Sequence, residues 1–93
     1  MGNNINVTKP YVNIEENSQY IIREFSQEVD SKELVWHRDR ENRLVVSLEN
    51  TDWKVQLDNQ LPTLLTTPIF IKKSQWHRLL KGSGTLRVKI YKL

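Results

Sequence analysis

Trp53-Lys54-Val55-Gln56-Leu57-Asp58 is the stretch on which the fold turns. Apolar side chains stand at 53, 55 and 57, and polar ones at 54, 56 and 58. A period of two belongs to a β-strand with one buried face, because side chains alternate across a strand. Upstream, Arg43 to Leu48 holds Leu44-Val45-Val46-Ser47-Leu48, an almost continuous apolar run. Glu49-Asn50-Thr51-Asp52 between them predicts a hairpin turn. Downstream, Asn59-Gln60-Leu61-Pro62 reads as a turn and Thr63 to Thr67 as a short strand ending at Pro68. Ile69-Phe70-Ile71 reads as a buried strand, Lys72-Lys73-Ser74 as a turn, and Trp76 to Leu80 as a further strand. Lys81-Gly82-Ser83-Gly84 closes it, and Thr85 to Tyr91 alternates again. Before the central stretch, Tyr20 to Phe25 and Leu34 to Arg38 are rich in β-formers, with Asp30-Ser31-Lys32 as turn chemistry between them. Glu15 to Phe25 also admits a short helix. Strands spaced roughly every 8–12 residues predict an all-β chain, mostly antiparallel, folded as a sandwich or small barrel.

The chain has 93 residues, enough for one domain over 1–93 with a modest core. Residues 1–10 are polar, end at Pro10, and read as an N-terminal arm. Cysteine is absent, which excludes a disulfide framework, a thiolate nucleophile and zinc–thiolate sites, and fits a cytoplasmic location. No apolar run approaches the roughly 18 residues of a membrane span, and the N-terminus lacks a signal-peptide core. Asn6-Val7-Thr8 matches a glycosylation acceptor, a tripeptide common by chance. The net charge of +3 is mild. Basic residues thicken after Ile71, which fits a solvated surface more simply than an anionic partner. Arg38, Arg40 and Arg78 form only a faint basic stripe without a nucleic-acid-binding motif, so no nucleic-acid partner is expected. Leu44 to Leu48 is apolar on both phases of its strand, more apolar surface than one interior needs, and this predicts a homodimer.

Trp-His-Arg occurs twice, at Trp36-His37-Arg38 and Trp76-His77-Arg78, and these are the only two histidines. On β-strands each Trp would face one way and each His the other, so that folding could bring both imidazoles to one interior point. His37, Asp39, Glu41 and Arg43 are spaced by two and would share a face of a regular strand. Trp53 reads as core, and Trp36 and Trp76 as core or interface rather than as stacking platforms for a ligand.

These residues resemble the cupins, small β-barrels of the jelly-roll class. The second cupin motif runs Gly, five residues, Pro, one residue, Gly, two residues, His, three residues, Asn. Its spacing falls here on Thr66, Lys72, Ser74, His77 and Lys81, so only the histidine is retained. The first motif, Gly, five residues, His, one residue, His, three or four residues, Glu, six residues, Gly, falls on Ser31, His37, Asp39, Arg43 and Asn50. The likeness covers residues 31–90, and the string from His37 through Asp58 looks like small cupin-like proteins of tailed bacteriophages. The resemblance implies a cupin-like jelly-roll β-barrel with a metal set of His37, Asp39 and His77. Two histidines and one carboxylate with open positions suit a divalent ion such as Fe, Mn, Ni or Zn.

The same set echoes the 2-oxoglutarate oxygenases, in which an arginine at the place of Arg87 would hold the cosubstrate carboxylate. The resemblance thus implies a ligand pocket of His37, Asp39, Glu41, Arg43, His77 and Arg87. Arg43 stands where cupins have a glutamate ligand, and a guanidinium repels a cation at ligand distance. It would instead pair with Glu41 or Asp39, or make the cavity a receptor for a small anion. Three readings stay open: a barrel binding a metal or small anionic ligand, a minimal metal-dependent isomerase or oxygenase, and a structural or interaction protein whose histidines only hydrogen-bond inside a filled barrel.

Overall fold

The computed structural model describes residues 9–93. Eight strands follow in order: β1 (Val12–Glu16), β2 (Tyr20–Phe25), β3 (Arg43–Ser47), β4 (Lys54–Leu57), β5 (Thr63–Leu64), β6 (Ile69–Ile71), β7 (His77–Leu80) and β8 (Leu86–Lys92). A 3-10 turn, Ser31–Glu33, lies between β2 and β3, capped by the Asp30 carboxylate, which accepts from the Lys32 N–H. The five-stranded sheet runs β1-β2-β8-β3-β6 and the three-stranded sheet runs β5-β4-β7. Every pairing is antiparallel. This is the all-β jelly-roll architecture, two antiparallel sheets closing on one interior.

The alternating stretch behaves as its period demands. Trp53 and Val55 are buried, Lys54 is exposed, and the Trp53 Nε1–H donates to the Gly84 carbonyl at 3.2 Å. On β8, Leu86, Val88 and Ile90 face inward and meet Ile21 and Phe25 of β2. Leu65 and Ile71 complete the core together with Val29.

Several local readings differ from the structure. Glu49–Asp52 is no hairpin turn, because β3 lies in the five-stranded sheet and β4 in the other, so the segment carries the chain between sheets. Leu34–Arg38 forms no continuous strand; only His37 pairs, in a single antiparallel bridge to His77. Strand β1 was not expected: Val12 and Ile14 alternate with polar residues, yet all five of its residues are exposed. Phe70 is exposed because β6 is an edge strand whose outer phase meets solvent. The helix admitted within Glu15 to Phe25 is strand on both sides of a turn. Of the N-terminal arm, residues 1–8, with the Asn6-Val7-Thr8 tripeptide, lie outside the described residues. No described helix is long and apolar enough to cross a membrane.

Candidate metal centre

The two Trp-His-Arg copies meet as an antiparallel pair. The His37 N–H donates to the His77 carbonyl and the His77 N–H to the His37 carbonyl, each at 2.9 Å. A residue-for-residue bridge puts both histidine side chains on one side and their neighbours on the other. The imidazoles turn to one side, with ring centres 4.2 Å apart at 61°; His77 is buried, and His37 is exposed along the cleft. Trp36 and Trp76 turn outward, so they are surface residues rather than core. Each is covered by the arginine of the other copy: the Arg78 guanidinium lies 4.8 Å from the Trp36 ring centre and that of Arg38 5.1 Å from Trp76.

Asp39 is fixed by the turn opposite. Its carbonyl accepts from the Ser74 N–H at 2.8 Å, and the Asn42 side chain accepts from the Lys73 N–H at 2.7 Å. Ser74 sits at φ 66°, the left-handed region that favours glycine, and it stands where the cupin motif carries glycine. These bonds hold an otherwise irregular segment, residues 38–42, with its carboxylate against the imidazoles.

The hydrogen bonds decide which nitrogens face the centre. His37 Nδ1 lies 3.0 Å from the Val35 carbonyl, and His77 Nδ1 lies 2.8 Å from the Gln75 carbonyl. A carbonyl only accepts, so each Nδ1 donates, and in the neutral rings both Nε2 lone pairs are left facing inward. Asp39 Oδ2 is buried, lies 3.3 Å from His77 Nε2, and lacks hydrogen-bond geometry to it or to any other described group. Donor atoms of His37, Asp39 and His77 all lie within 4.8 Å of one another. Metal bonds of about 2 Å require ligand atoms roughly 3–3.4 Å apart, so a bound ion would draw the widest pair of this set inward by about 1 Å.

Electrostatics support the ionised and neutral forms that a metal needs. Burial alone would raise the Asp39 carboxyl, but the His77 ring, the Arg43 guanidinium and His37 together outweigh it and hold Asp39 below the usual carboxylate range. Burial lowers the His37 pKa, the His77 ring adds to this, and the Val35 carbonyl opposes it. Arg43 meets the donor set only at the other carboxylate oxygen: it binds Glu41 Oε2 through Nε at 2.7 Å and Asp39 Oδ1 through Nη1 at 3.3 Å. Its charge is matched there, and Oδ2 is left for another partner.

A cavity of about 60 Å³ lies beside the donors, lined by His37, Asp39, Arg43 and His77 with apolar residues such as Phe25 and Val88. It adjoins a cleft of about 420 Å³ whose walls include Tyr11, Leu34, Val35 and Leu79. Two expected pocket residues are elsewhere. Arg87 lies on the outer phase of β8, between inward Leu86 and Val88, and is 43% exposed; it pairs with Glu24 at 2.8 Å and Glu49 at 2.7 Å. Glu41 lines neither cavity and only backs Arg43, because the segment is not a regular strand. Arg23, on the other hand, lines both cavities and was missed. Its signal is in the sequence: in Tyr20 to Phe25 it shares a phase with Ile21 and Phe25.

No protein-family model matches this sequence, and no curated protein matches it either. Solved structures do. An RmlC-like cupin family protein with a double-stranded β-helix fold, from Methanocaldococcus jannaschii, superposes with a TM-score of 0.62 at 11% identity, over 91% of this chain and 81% of its own. The fold is that of the cupins. A cupin domain from Bordetella pertussis superposes with a TM-score of 0.60 at 13% identity, over 94% of this chain and 97% of its own. Fe(II)-HppE, solved with the alternative substrate (S)-1-HPP, superposes with a TM-score of 0.60 at 15% identity over 80% of this chain, which spans 41% of that protein. In this cupin fold, the donor set sits on the segments that carry both degenerate motifs.

Proposed function

We propose that this chain is a cupin-fold barrel that binds one divalent metal ion through His37 Nε2, Asp39 Oδ2 and His77 Nε2, and a small molecule in the adjoining cleft. One observation carries the reading. Two imidazoles donate their Nδ1 protons to backbone carbonyls, so their Nε2 lone pairs converge on an orphaned carboxylate oxygen. An imidazole lone pair and a carboxylate oxygen 3.3 Å apart repel unless a proton or a metal cation lies between them. A proton on His77 would serve only one pair, whereas a metal serves all three. Carbonyl-anchored imidazoles are also the usual support of metal-ligating histidines.

A bound metal would supply Lewis acidity at the base of the cleft. The residues do the rest: Asp39 supplies the negative charge, Arg43 and Ser74 hold Asp39 in place, and the apolar walls exclude water. The donor type suits Fe(II) and related ions. Open coordination positions beside a cleft extend the reading to a minimal metal-dependent isomerase or oxygenase, a step supported by the likeness to Fe(II)-HppE. Metal analysis of protein purified without an affinity tag tests the binding. About one equivalent of a divalent ion is expected, lost in His77→Ala and on chelation. A metal-free protein that also takes up no Fe(II), Mn(II), Ni(II) or Zn(II) would leave the filled barrel as the reading.

A further inference from the structure

Strand β2 sends Ile21, Arg23 and Phe25 toward the interior, and Ile21 and Phe25 are core residues. An arginine on that phase needs a reason. Its Nε–H donates to Asn13 Oδ1 at 2.8 Å, and its guanidinium carbon lies 3.8 Å from the Tyr11 ring centre. These contacts aim the group without neutralising it. Among the described residues Arg23 has no carboxylate within ion-pair distance, whereas Arg43 has two. Burial lowers its pKa, although a guanidinium keeps its proton. A half-buried cation without a counter-ion destabilises a fold unless a ligand completes it.

Arg23 lines both the inner cavity and the cleft, beside His37 and Asp39. The cleft wall next to it is apolar: Phe25, Leu34, Val35 and Leu79. Of the other charged groups on this cleft, Lys9 and Glu33 are exposed at the rim, and Arg43 is paired with Glu41 and Asp39. A site with one uncompensated inner guanidinium and an apolar wall fits one negative charge on an organic body. The geometry points to Arg23 as the anchor for a small organic monocarboxylate, held bidentately by the guanidinium with its body against Phe25, Leu34, Val35 and Leu79. This rests on the cleft being the ligand site of the proposed function, and it does not need the metal to be present. It names the ligand class of that site and a binding residue that neither cupin motif contains.

The test is a titration of isotope-labelled full chain followed by amide NMR shifts, with chelator and again with Co(II). The probes are benzoate, isovalerate, neutral benzamide and inorganic phosphate; the proteins are the unmutated chain, Arg23→Lys and Arg23→Met. At least one of the two carboxylates should shift amides of β2 and Leu34–Val35, and benzamide and phosphate should bind more weakly. Arg23→Met should weaken the carboxylate by about tenfold or more, since a charge-assisted bidentate bond is lost. Arg23→Lys should fall between. Metal-free Arg23→Met should also melt higher than the parent, because a buried uncompensated charge is gone; a merely structural arginine would give a lower melting temperature. Equal carboxylate binding by Arg23→Met, equal binding of benzamide, tighter binding of phosphate, or no binding of either carboxylate overturns the assignment. Arg23-dependent binding in protein that takes up no Co(II) overturns the metal reading alone. Co(II) uptake with Arg23-independent binding overturns this one alone.

Discussion

The chemistry of this barrel depends on how Arg43 is used. A guanidinium at the place of a ligand argues against a cation, yet Glu41 and Asp39 Oδ1 absorb its charge. Two consequences follow for Arg43→Glu. Metal-free, the variant should lose roughly 3 kcal/mol of stability, because a half-buried network is broken and carboxylates crowd together. With metal it should recover more than the parent does, since a positive charge has become a further carboxylate. Thermal melts with chelator and with Co(II) check both signs. At His37 the pKa lies below the ordinary value of about 6.5. The unfolded chain therefore takes up this proton first as pH falls. Stability from the neutral ring is complete above about pH 6.5 and is lost progressively below it. Metal-free melts from about pH 8 to about pH 5 should show this loss, and His37→Gln should remove it; a flat profile in the parent would contradict the burial argument.

Among the elements, the turn between β7 and β8 shows how local chemistry locks a junction. Asp52 accepts from the Ser83 N–H at 2.8 Å and from the Ser83 hydroxyl at 2.9 Å. Gly82 lets the two segments touch: a Cβ there would lie 2.7 Å from both the Asp52 carbonyl carbon and the Trp53 nitrogen. Both are backbone atoms and cannot swing aside. Gly82→Ala should therefore cost about 2 kcal/mol or more in urea unfolding, through displacement of β4 and the buried Trp53 beside it. Gly84 has open space but φ +71°, so Gly84→Ala should cost only about 1 kcal/mol of backbone strain. Reversal of that order would mean that the close approach is not maintained in solution.

At the scale of the molecule, both faces of the five-stranded sheet carry apolar groups. The inner face is core. On the outer face the register aligns Tyr20, Tyr91, Leu44 and Phe70 in one row across four strands. Ile22, Lys89 and Val46 form the next row, with the Lys89 ammonium 4.2 Å from the Tyr20 ring centre. Phe70 lies on edge strand β6 and is exposed. The homodimer read from Leu44 to Leu48 would bury this face against its own copy, which a two-fold axis permits for a single patch. Sedimentation should show a dimer, and Phe70→Asp should shift it toward monomer. A parent chain that sediments only as monomer would remove the expectation.

Much of the fold was legible because its signals are local. Alternation over Trp53–Asp58 and Thr85–Tyr91 needs no distant partner, and neither does the turn chemistry that spaces the strands. In the structure the strand phases put Arg87 on the outer face and Arg23 toward the cavities, so the expectation that Arg87 lines the pocket does not hold. Which strands became neighbours was not legible. Glu49–Asp52 has the composition of a hairpin turn, but pairing of β3 with β8 and β6 is settled by burial across the whole barrel. Strand β1 alternates at Val12 and Ile14 but buries neither, and it pairs along its edge with β2. The histidines and Asp39 could be named from spacing, but their alignment could not. Bonds from Ser74 to Asp39 and between His37 and His77 join residues far apart in the chain, and only tertiary closure makes them. The sequence by itself determined most of the strands and the residue types of the candidate site; the tertiary structure decided that those residues converge, because convergence is a property of sheet register rather than of any segment.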